Sequence, residues 1–300
     1  MATNRRSVPA GAFRKDGKKS LPGPTNVQAV ISAMINNTCK RYLFIDTSAK
    51  IGAYLIIVCV GSLICDLFRP PRMYLADKNS ILNKFFVRVG WGWTCAMLGL
   101  FIFFTMYISC GGDRRKIGRH MSRLAVGTFW WYIWTNVFEI VEHQSGFCSM
   151  KDLTDKRTCY RGGHIWIGFD ISGHAFLLIH NLLMISEEVK CLKSWDKVRL
   201  VIQSEGDETS PYRLDGDTLQ KVKEGHLQYN YIVKGMTVVL TMLTLLWEVM
   251  LVITTLYYHT IAQKVVGAFI AIGCWFVSYQ MWYLSDYSPK LPGEGTINTR

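Results

Sequence analysis

The chain has no pair of cysteines at the spacing that forms a zinc site with histidine, so we expect neither a metal nor another cofactor. No internal repeat of fixed period occurs, which argues against the repeat architecture of a small transporter. No apolar core closely follows the basic residues near the N-terminus, so we expect no signal peptide. Acidic residues are also few: 22 Asp and Glu oppose 34 Lys and Arg, and the net charge is +12.

Long apolar runs, by contrast, dominate the 300 residues. Half of the residues are hydrophobic, ten are tryptophan and the mean hydropathy is +0.15, a composition typical of membrane proteins. A helix needs roughly 20 apolar residues to cross the hydrocarbon layer. The sequence therefore predicts an all-α, polytopic membrane bundle of about six transmembrane helices. These helices correspond to the apolar runs 49–68, 88–110, 123–141, 165–186, 235–258 and 262–284.

Charge asymmetry predicts the orientation of this bundle. With six helices, 23 Lys and Arg fall on the side of the N-terminus and ten on the other side. Because cytosolic segments carry the excess of positive charge, we expect both termini in the cytosol. The asymmetry also explains the net charge without a nucleic-acid partner. We expect a disordered basic cytosolic tail at 1–45, a catalytic membrane domain at 46–285 with a cytosolic loop at 187–234, and a flexible cytosolic tail at 286–300.

Two of the nine cysteines, Cys148 and Cys159, share a predicted lumenal loop. A disulfide and a pair of free thiols are both open there, and the disulfide requires that this side of the membrane is oxidising. Most of the other cysteines lie inside apolar runs, where a buried thiol is the expected role.

Ionisable residues inside the fourth apolar run are the main functional candidates. Asp170, Ser172, Gly173 and His174 lie together there, and a second histidine, His259, closes the fifth run. Ionisable groups at hydrocarbon depth are costly unless they are paired, so they often mark functional sites. Asp170 precedes His174 by four residues and could orient or charge its imidazole. We therefore expect the two histidines to be catalytic.

The start of the fourth helix decides the depth of His174. A helix that began at Ile165 would bury His174 about 14 Å deep, whereas His259 lies at the lumenal mouth of the next helix. A later start, with Asp170 or Ser172 as the N-cap, would place His174 in the first turn. Backbone N–H groups and the positive end of the helix dipole would then face the lumen, which suits a phosphate.

Further polar residues are candidates for binding the substrate beside Asp170, Ser172 and Gly173. Glu248 lies eleven residues before the second histidine and so on the same face of its helix. Lys264 is a lumen-facing cation that could hold a phosphate, as is Arg161. An interhelical hydrogen bond is the structural alternative for Glu248 and His174, and a position at the membrane interface is the alternative for His259.

Three stretches of the chain resemble the fat storage-inducing transmembrane family. They are Gly168–Leu178, Trp247–Thr260 and Lys264–Tyr283, and the triplet Ser186-Glu187-Glu188 fits as well. The resemblance covers roughly residues 45–285. It implies a six-helix protein of the endoplasmic reticulum (ER) membrane with cytosolic termini, in agreement with the charge count.

The resemblance also implies an activity and partners. The activity is cleavage of the diphosphate of fatty acyl-CoA, which gives acyl 4′-phosphopantetheine and adenosine 3′,5′-bisphosphate. The implied partners are triacylglycerol, diacylglycerol and ER membrane lipids, and the implied roles are lipid-droplet formation and ER lipid balance. The rival interpretation is a non-catalytic membrane protein that binds triacylglycerol or diacylglycerol and partitions neutral lipid into droplets.

The family is similar in turn to the lipid phosphate phosphatases, whose Ser-Gly-His motif matches Ser172-Gly173-His174. A later histidine of those enzymes matches His259. The similarity implies that His259 is the nucleophile and His174 the general acid.

Three departures from the phosphatase pattern leave other roles unassigned. The first motif of those enzymes, rich in lysine and arginine, has no clear match in this chain. Val252 and Ile253 stand where a Ser-Arg pair is expected, so the usual phosphate-binding cation is missing. Gln263 stands where the phosphatases place the aspartate that orients the nucleophile. Glu248 or Asp170 could replace that aspartate.

Overall fold

The computed structural model describes residues 27–68, 86–150, 154–203 and 214–294, together with residues 71, 74, 77, 80, 81 and 152. Within these residues the chain forms nine α-helices and one small antiparallel sheet of β1 (Phe147–Cys148) and β2 (Trp166–Ile167). The helices are α1 (Val27–Leu43), α2 (Thr47–Leu67), α3 (Gly90–Ser109), α4 (Arg114–Ser145), α5 (Lys156–Arg161), α6 (Gly173–Glu188), α7 (Trp195–Gln203), α8 (Gly216–Tyr257) and α9 (Ile261–Trp275).

Helix α6 forms the centre of the bundle. Every residue of α6 after His174 is buried, and the helix packs against α9, α8 and α3. A helix that is enclosed on all sides must be apolar all round, which explains the uninterrupted apolar run that the sequence shows here. His180 fits this environment: its ring is buried, stacks on Phe176, and its Nε2 lies 3.2 Å from the carbonyl oxygen of Gly127.

The all-α membrane architecture that the sequence predicts is confirmed. Among the described residues, four helical segments are long and apolar enough to cross a membrane: Thr47–Cys65, Gly90–Ser109, Gly216–Tyr257 and Ile261–Leu284. The other two predicted spans correspond to α4 and α6. Helix α6 has 16 residues and is enclosed by its neighbours, and α4 has 32 residues with charged residues at both ends.

Most of the loop expected at 187–234 is helical where the structure describes it. Helix α8 begins at Gly216 and so runs about 20 residues beyond the apolar run at 235–258. Burial of Val222 and Gly225 and the ion pair between Lys221 and Asp217, 2.7 Å long, stabilise this polar extension. Residues 204–213 of this segment lie outside the described residues.

The start of that expected loop is also buried rather than exposed. Glu188 Oε2 accepts a hydrogen bond from Arg123 Nη2 at 2.6 Å, and both side chains are at most 1% exposed. Tyr279 donates a hydrogen bond to the same carboxylate at 2.7 Å. Because a buried charge must be paired, this ion pair explains why acidic residues can end α6 inside the bundle.

Both segments that were expected to be tails contain ordered structure. Helix α1 lies in the segment 1–45, where Asn36 Nδ2 donates a hydrogen bond to the carbonyl oxygen of Lys234 at 3.0 Å. In the segment 286–300, Ser288 is buried and the carbonyl oxygen of Lys290 accepts a hydrogen bond from Arg123 Nη1 at 3.1 Å. Packing against α4 and α8 therefore orders residues whose composition alone predicted disorder.

A compact cap, which consists of β1, α5 and β2, closes the bundle between α4 and α6. A disulfide joins Cys148 to Cys159, so of the two open alternatives the structure adopts the bonded one. The cap is held to α4 by the ion pair between Lys156 Nζ and Glu142 Oε2, 2.7 Å long. The cap lies at the same end of the bundle as His174.

Candidate active site

Both candidate histidines line one cavity of about 820 Å³ at the end of the bundle that the cap covers. The cavity is bounded by α4, the N-terminus of α6, the junction of α8 and α9, and the residues before α3. Its polar lining residues are Arg88, Thr135, Glu139, Glu142, Asp170, His174, Tyr258 and His259. The structure therefore brings together two histidines that are 85 residues apart in the sequence.

His174 lies in the first turn of α6. Ser172 is the N-cap, and its hydroxyl oxygen accepts a hydrogen bond from the backbone N–H of Ala175 at 3.2 Å. Of the two starts considered for this helix, the later one is observed. The positive end of the α6 dipole therefore adjoins the cavity, which favours the binding of an anion there.

His259 occupies a left-handed backbone conformation between α8 and α9, with a φ of 56°. Residues other than glycine rarely adopt this backbone conformation, and such backbone strain often occurs at functional sites. Tyr258 ends α8, and the backbone N–H of Thr260 at the start of α9 donates to Gln263 Oε1 at 3.0 Å. The turn between the two helices thus directs the imidazole of His259 into the cavity.

Gln263 connects the two histidine segments. Its carbonyl oxygen accepts a hydrogen bond from the backbone N–H of Ser172 at 3.1 Å, while its side chain caps α9. The residue that replaces the aspartate of the phosphatase pattern therefore has a structural role. It fixes the start of α6 against the start of α9, and so His174 against His259.

Close packing at Gly267 maintains that connection, and its loss is a testable prediction. A Cβ at Gly267 would lie 2.7 Å from the carbonyl oxygen of Ser172. Gly267→Ala should therefore push α9 away from α6, lower kcat/KM by about 10²-fold and destabilise the fold by about 1–3 kcal/mol. Gly273→Ala on the same helix, where a Cβ meets open space, is the control. Steady-state kinetics and thermal unfolding check both variants, and equal behaviour of the two would contradict the prediction.

Asp170 contacts His259. Because α6 begins at Gly173, Asp170 lies in the segment that leads into the helix, beside the junction of α8 and α9. Its Oδ2 lies 3.6 Å from Nδ1 of His259, within the distance of an ion pair but longer than a hydrogen bond. Asp170 can therefore supply the orienting carboxylate that Gln263 does not.

The cation at the cavity is one that sequence reasoning missed. Among the described lining residues, Arg88 is the only lysine or arginine, and it lies two residues before α3. Lys264 is 2% exposed and donates from Nζ to the carbonyl oxygen of Thr255 at 2.7 Å, so it supports the end of α8. Arg161 lies at the end of α5 and does not line the cavity. The only feature of the sequence that indicates Arg88 is its position as a cation at the edge of an apolar run.

Two glutamates of α4 form the opposite wall. Glu139 interrupts the third apolar run and lines the cavity, and Glu142 follows one turn later. Glu142 is neutralised by Lys156 of the cap. Partial burial lowers the pKa of the Lys156 ammonium, but the hydrogen bond and charge of Glu142 outweigh this effect and raise the pKa. The Lys156 ammonium therefore stays protonated at neutral pH and can pair with the carboxylate of Glu142.

Glu248 and Ser172 do not line the cavity. The carboxylate of Glu248 accepts hydrogen bonds from Tyr42 and from Tyr54, the latter at 2.9 Å. It thus joins α1 and α2 to α8, which is the structural alternative for this residue. Ser172 is fully buried, and its role is to cap the N-terminus of α6. Gly173 does line the cavity, and there is open space beside its Cα.

Comparison with known proteins gives a consistent result. The model of the family described as fat storage-inducing transmembrane protein matches residues 71–142 and 139–279. A Drosophila melanogaster protein named acyl-coenzyme A diphosphatase FITM2 is 34% identical over 94% of this chain and 69% of its own length. The human protein of that name is 34% identical over 80% of this chain and 84% of its own length. The Caenorhabditis elegans protein is 30% identical over 96% of both. No solved structure matches.

The family model covers more than half of the chain, and these relatives extend over most of it. The two motif histidines lie inside the matched residues and line the same cavity. The chain belongs to the fat storage-inducing transmembrane family.

Proposed function

We propose that this chain is a fatty acyl-CoA diphosphatase of the ER membrane. The observation that carries the proposal is the cavity that holds His174, His259, Asp170 and Arg88 together at the end of a membrane bundle. The names of the relatives state the same activity for those proteins. An amphiphile such as acyl-CoA suits this position, because its polar diphosphate can enter the cavity while its acyl chain remains near the lipid.

The reaction proceeds in two displacements at phosphorus. Nε2 of His259 attacks one phosphorus of the diphosphate, and the bridging P–O bond breaks. His174 gives a proton to the departing phosphate oxygen. Water then attacks the same phosphorus and gives a proton to His174, and the P–N bond to His259 breaks, so both imidazoles return to their starting states. The two products are acyl 4′-phosphopantetheine and adenosine 3′,5′-bisphosphate.

The carboxylate of Asp170 supports the assignment of His259 as the nucleophile. A carboxylate near Nδ1 favours the tautomer that carries the proton on Nδ1, so Nε2 keeps its lone pair for attack. In the structure His174 has an aromatic neighbour, Tyr258, at a ring-centroid distance of 6.2 Å. His174 lies at the N-terminus of α6, whose positive dipole end would attract the negatively charged phosphate to that position.

Arg88 is the cation that binds the diphosphate in this proposal, and its replacement gives a prediction. A charge-assisted hydrogen bond contributes roughly 1.5–3 kcal/mol, so Arg88→Gln should lower kcat/KM by about 10- to 100-fold, mainly through a higher KM. Arg161→Gln removes an exposed cation of the cap and is the matched control. Steady-state kinetics with oleoyl-CoA compare the two. A larger loss in Arg161→Gln than in Arg88→Gln would contradict this role.

Product identity tests the proposed activity itself. Purified protein in detergent, given oleoyl-CoA, should release adenosine 3′,5′-bisphosphate and oleoyl 4′-phosphopantetheine in equal amounts, as measured by mass spectrometry. Release of free CoA would instead show thioester cleavage. The absence of any product would leave the non-catalytic lipid-binding interpretation in place of the enzyme.

The proposed orientation places the cavity in the ER lumen and both termini in the cytosol. The disulfide of the cap supports it, because disulfides persist in the oxidising lumen and are rare in the cytosol. Peptide mapping of protein alkylated in intact ER membranes should find Cys148 and Cys159 bonded. Alkylated free thiols at both positions would contradict a lumenal cap.

A groove outside the cavity favours the binding of triacylglycerol or diacylglycerol as a second property. It measures about 650 Å³ and lies between α4 and the C-terminal segment, lined by Phe129, Trp130, Trp282 and Pro289 among others. Its lining is largely apolar, which suits lipid tails. A photoreactive diacylglycerol should label peptides from this groove, and labelling only at the catalytic cavity would contradict the proposal.

A further inference from the structure

A second cleft lies near the other end of the bundle. It measures about 550 Å³ and is formed by α1, α7, α8 and the 3₁₀ turn Val189–Ser194. We call it the basic cleft. The residues that line it are Ala33, Asn36, Asn37, Lys40, Leu192, Trp195, Arg199, His226, Asn230, Val233, Lys234 and Thr237.

The basic cleft and the catalytic cavity lie towards opposite ends of the bundle. Thr237, which lines the cleft, lies within α8, and Tyr258, which lines the cavity, directly follows the last residue of that helix. At 1.5 Å per residue they are about 32 Å apart along its axis, which is close to the thickness of the hydrocarbon core. A ligand of the cleft is therefore distinct from the substrate of the cavity.

Three helices each contribute a cation to the cleft. These are Lys40 of α1, Arg199 of α7 and Lys234 of α8, with the imidazole of His226 beside them. None of the described residues that line the cleft carries a carboxylate. Three like charges around one cavity repel one another unless an anion lies between them. The arrangement therefore points to an anionic ligand.

Amide groups add hydrogen-bond donors to the same cavity. Asn230 Oδ1 accepts a hydrogen bond from Trp195 Nε1 at 3.3 Å, which orients that amide. Its NH₂ group is then the part suited to a ligand, and such a group donates to phosphate oxygens. Cations and amide donors together are the chemistry that recognises a phosphate group.

The exposed face of α1 indicates that this phosphate belongs to a lipid. Val27, Ile31, Met34 and Ile35 form an apolar stripe at helical spacing, and each is between 48% and 71% exposed. The polar face of the same helix lines the basic cleft. The stripe faces away from the cleft, so inserting the stripe among acyl chains would hold the cleft at the level of the lipid headgroups, whereas a soluble phosphate would leave the stripe uncovered.

We propose that the basic cleft binds the phosphate-bearing headgroup of an anionic phospholipid, on the membrane face opposite the catalytic cavity. Basic pockets between helices at a membrane surface bind such headgroups in other proteins. The bound lipid would hold α1 and α7 against α8. This site does not depend on the chemistry of the catalytic cavity.

Binding of short-chain lipids tests the proposal. The full chain in detergent is titrated with dioctanoyl phosphatidylserine, and occupancy is followed by native mass spectrometry. We expect saturable binding to the wild type, and an affinity lower by about tenfold or more in Arg199→Gln/Lys234→Gln. The control Arg115→Gln/Lys116→Gln, which removes two exposed cations from the start of α4, should bind like the wild type.

Several results of the binding experiment would overturn the proposal. They are equal affinity in the cleft variant and the wild type, equal loss in the cleft and control variants, and equal binding of dioctanoyl phosphatidylcholine. Displacement of the lipid by inorganic phosphate at equal concentration would show a free-anion site and would also overturn it. Thermal unfolding verifies that each variant is folded, and the single variant Arg199→Gln, at an exposed position, replaces the double variant if that one unfolds.

Discussion

His259→Ala should lower kcat for oleoyl-CoA by at least about 10³-fold, because it removes the proposed nucleophile and no neighbouring group can form the same bond to phosphorus. His174→Ala should lower kcat less, by about 10²-fold. The departing phosphate oxygen is already a good leaving group, so a general acid contributes at the lower end of its usual range. Release of adenosine 3′,5′-bisphosphate measures both effects.

The design of this experiment separates chemistry from folding. His164→Ala, in the cap but outside the cavity, is the matched control and should retain wild-type activity. His259→Ala keeps the backbone strain at this position, because alanine also disfavours a φ of 56°. Asparagine adopts this conformation more readily, so His259→Asn is a useful second variant. Wild-type rates in both His174 and His259 variants would contradict a catalytic role for the pair.

Arg123→Leu should destabilise the protein by about 3–5 kcal/mol. The guanidinium of Arg123 and the carboxylate of Glu188 are both buried and joined by two hydrogen bonds of 2.6 Å. Removing one partner leaves the other charge buried and uncompensated, which is far more costly than losing the pair. Thermal unfolding in detergent measures the effect, with Arg115→Leu as the exposed control on the same helix.

A double variant sharpens this prediction. Arg123→Leu/Glu188→Leu removes both charges and should be more stable than Arg123→Leu alone, because no unpaired charge remains. The hydrogen bond from Tyr279 to Glu188 is lost as well, so the double variant should not recover the full stability. A destabilisation equal to the sum of the two single variants would contradict the account of a coupled pair.

Local chemistry was sufficient to predict half of the site. The N-cap of α6 at Ser172 and the position of His174 in the first turn follow from neighbouring residues, because an N-cap hydrogen bond spans only three positions. The position of His259 at a helix junction is likewise local. Hydrophobic runs gave the membrane helices for the same reason, since burial in lipid requires an apolar segment wherever it occurs.

Contacts between distant segments could not be predicted in this way. Asp170 and His259 are 89 residues apart in the sequence, and only folding brings the carboxylate to the imidazole. Arg88 carries no pattern that distinguishes it from other cations at the edge of an apolar run. Its role depends on the cavity that α4, α6 and α8 enclose.

Charge led to the largest errors in the extent of the helices. The polar residues of 216–234 suggested a surface loop, but they form a helical extension of α8 that is stabilised by ion pairs and by packing against α3. Glu188 is buried, and the residue that neutralises it, Arg123, is 65 residues away in the sequence. Composition cannot reveal such partners, since they are neighbours only after folding.

The central claim, that His259 forms a covalent bond to phosphorus inside this cavity, has a direct test. Protein mixed with oleoyl-CoA is quenched with alkali within one turnover, digested and examined by mass spectrometry. The account predicts a phosphorus-linked adduct on the peptide that contains His259, absent from His259→Ala, with a mass that tells which half of the substrate is transferred. An adduct on the peptide that contains His174, with His259 unmodified, would contradict it.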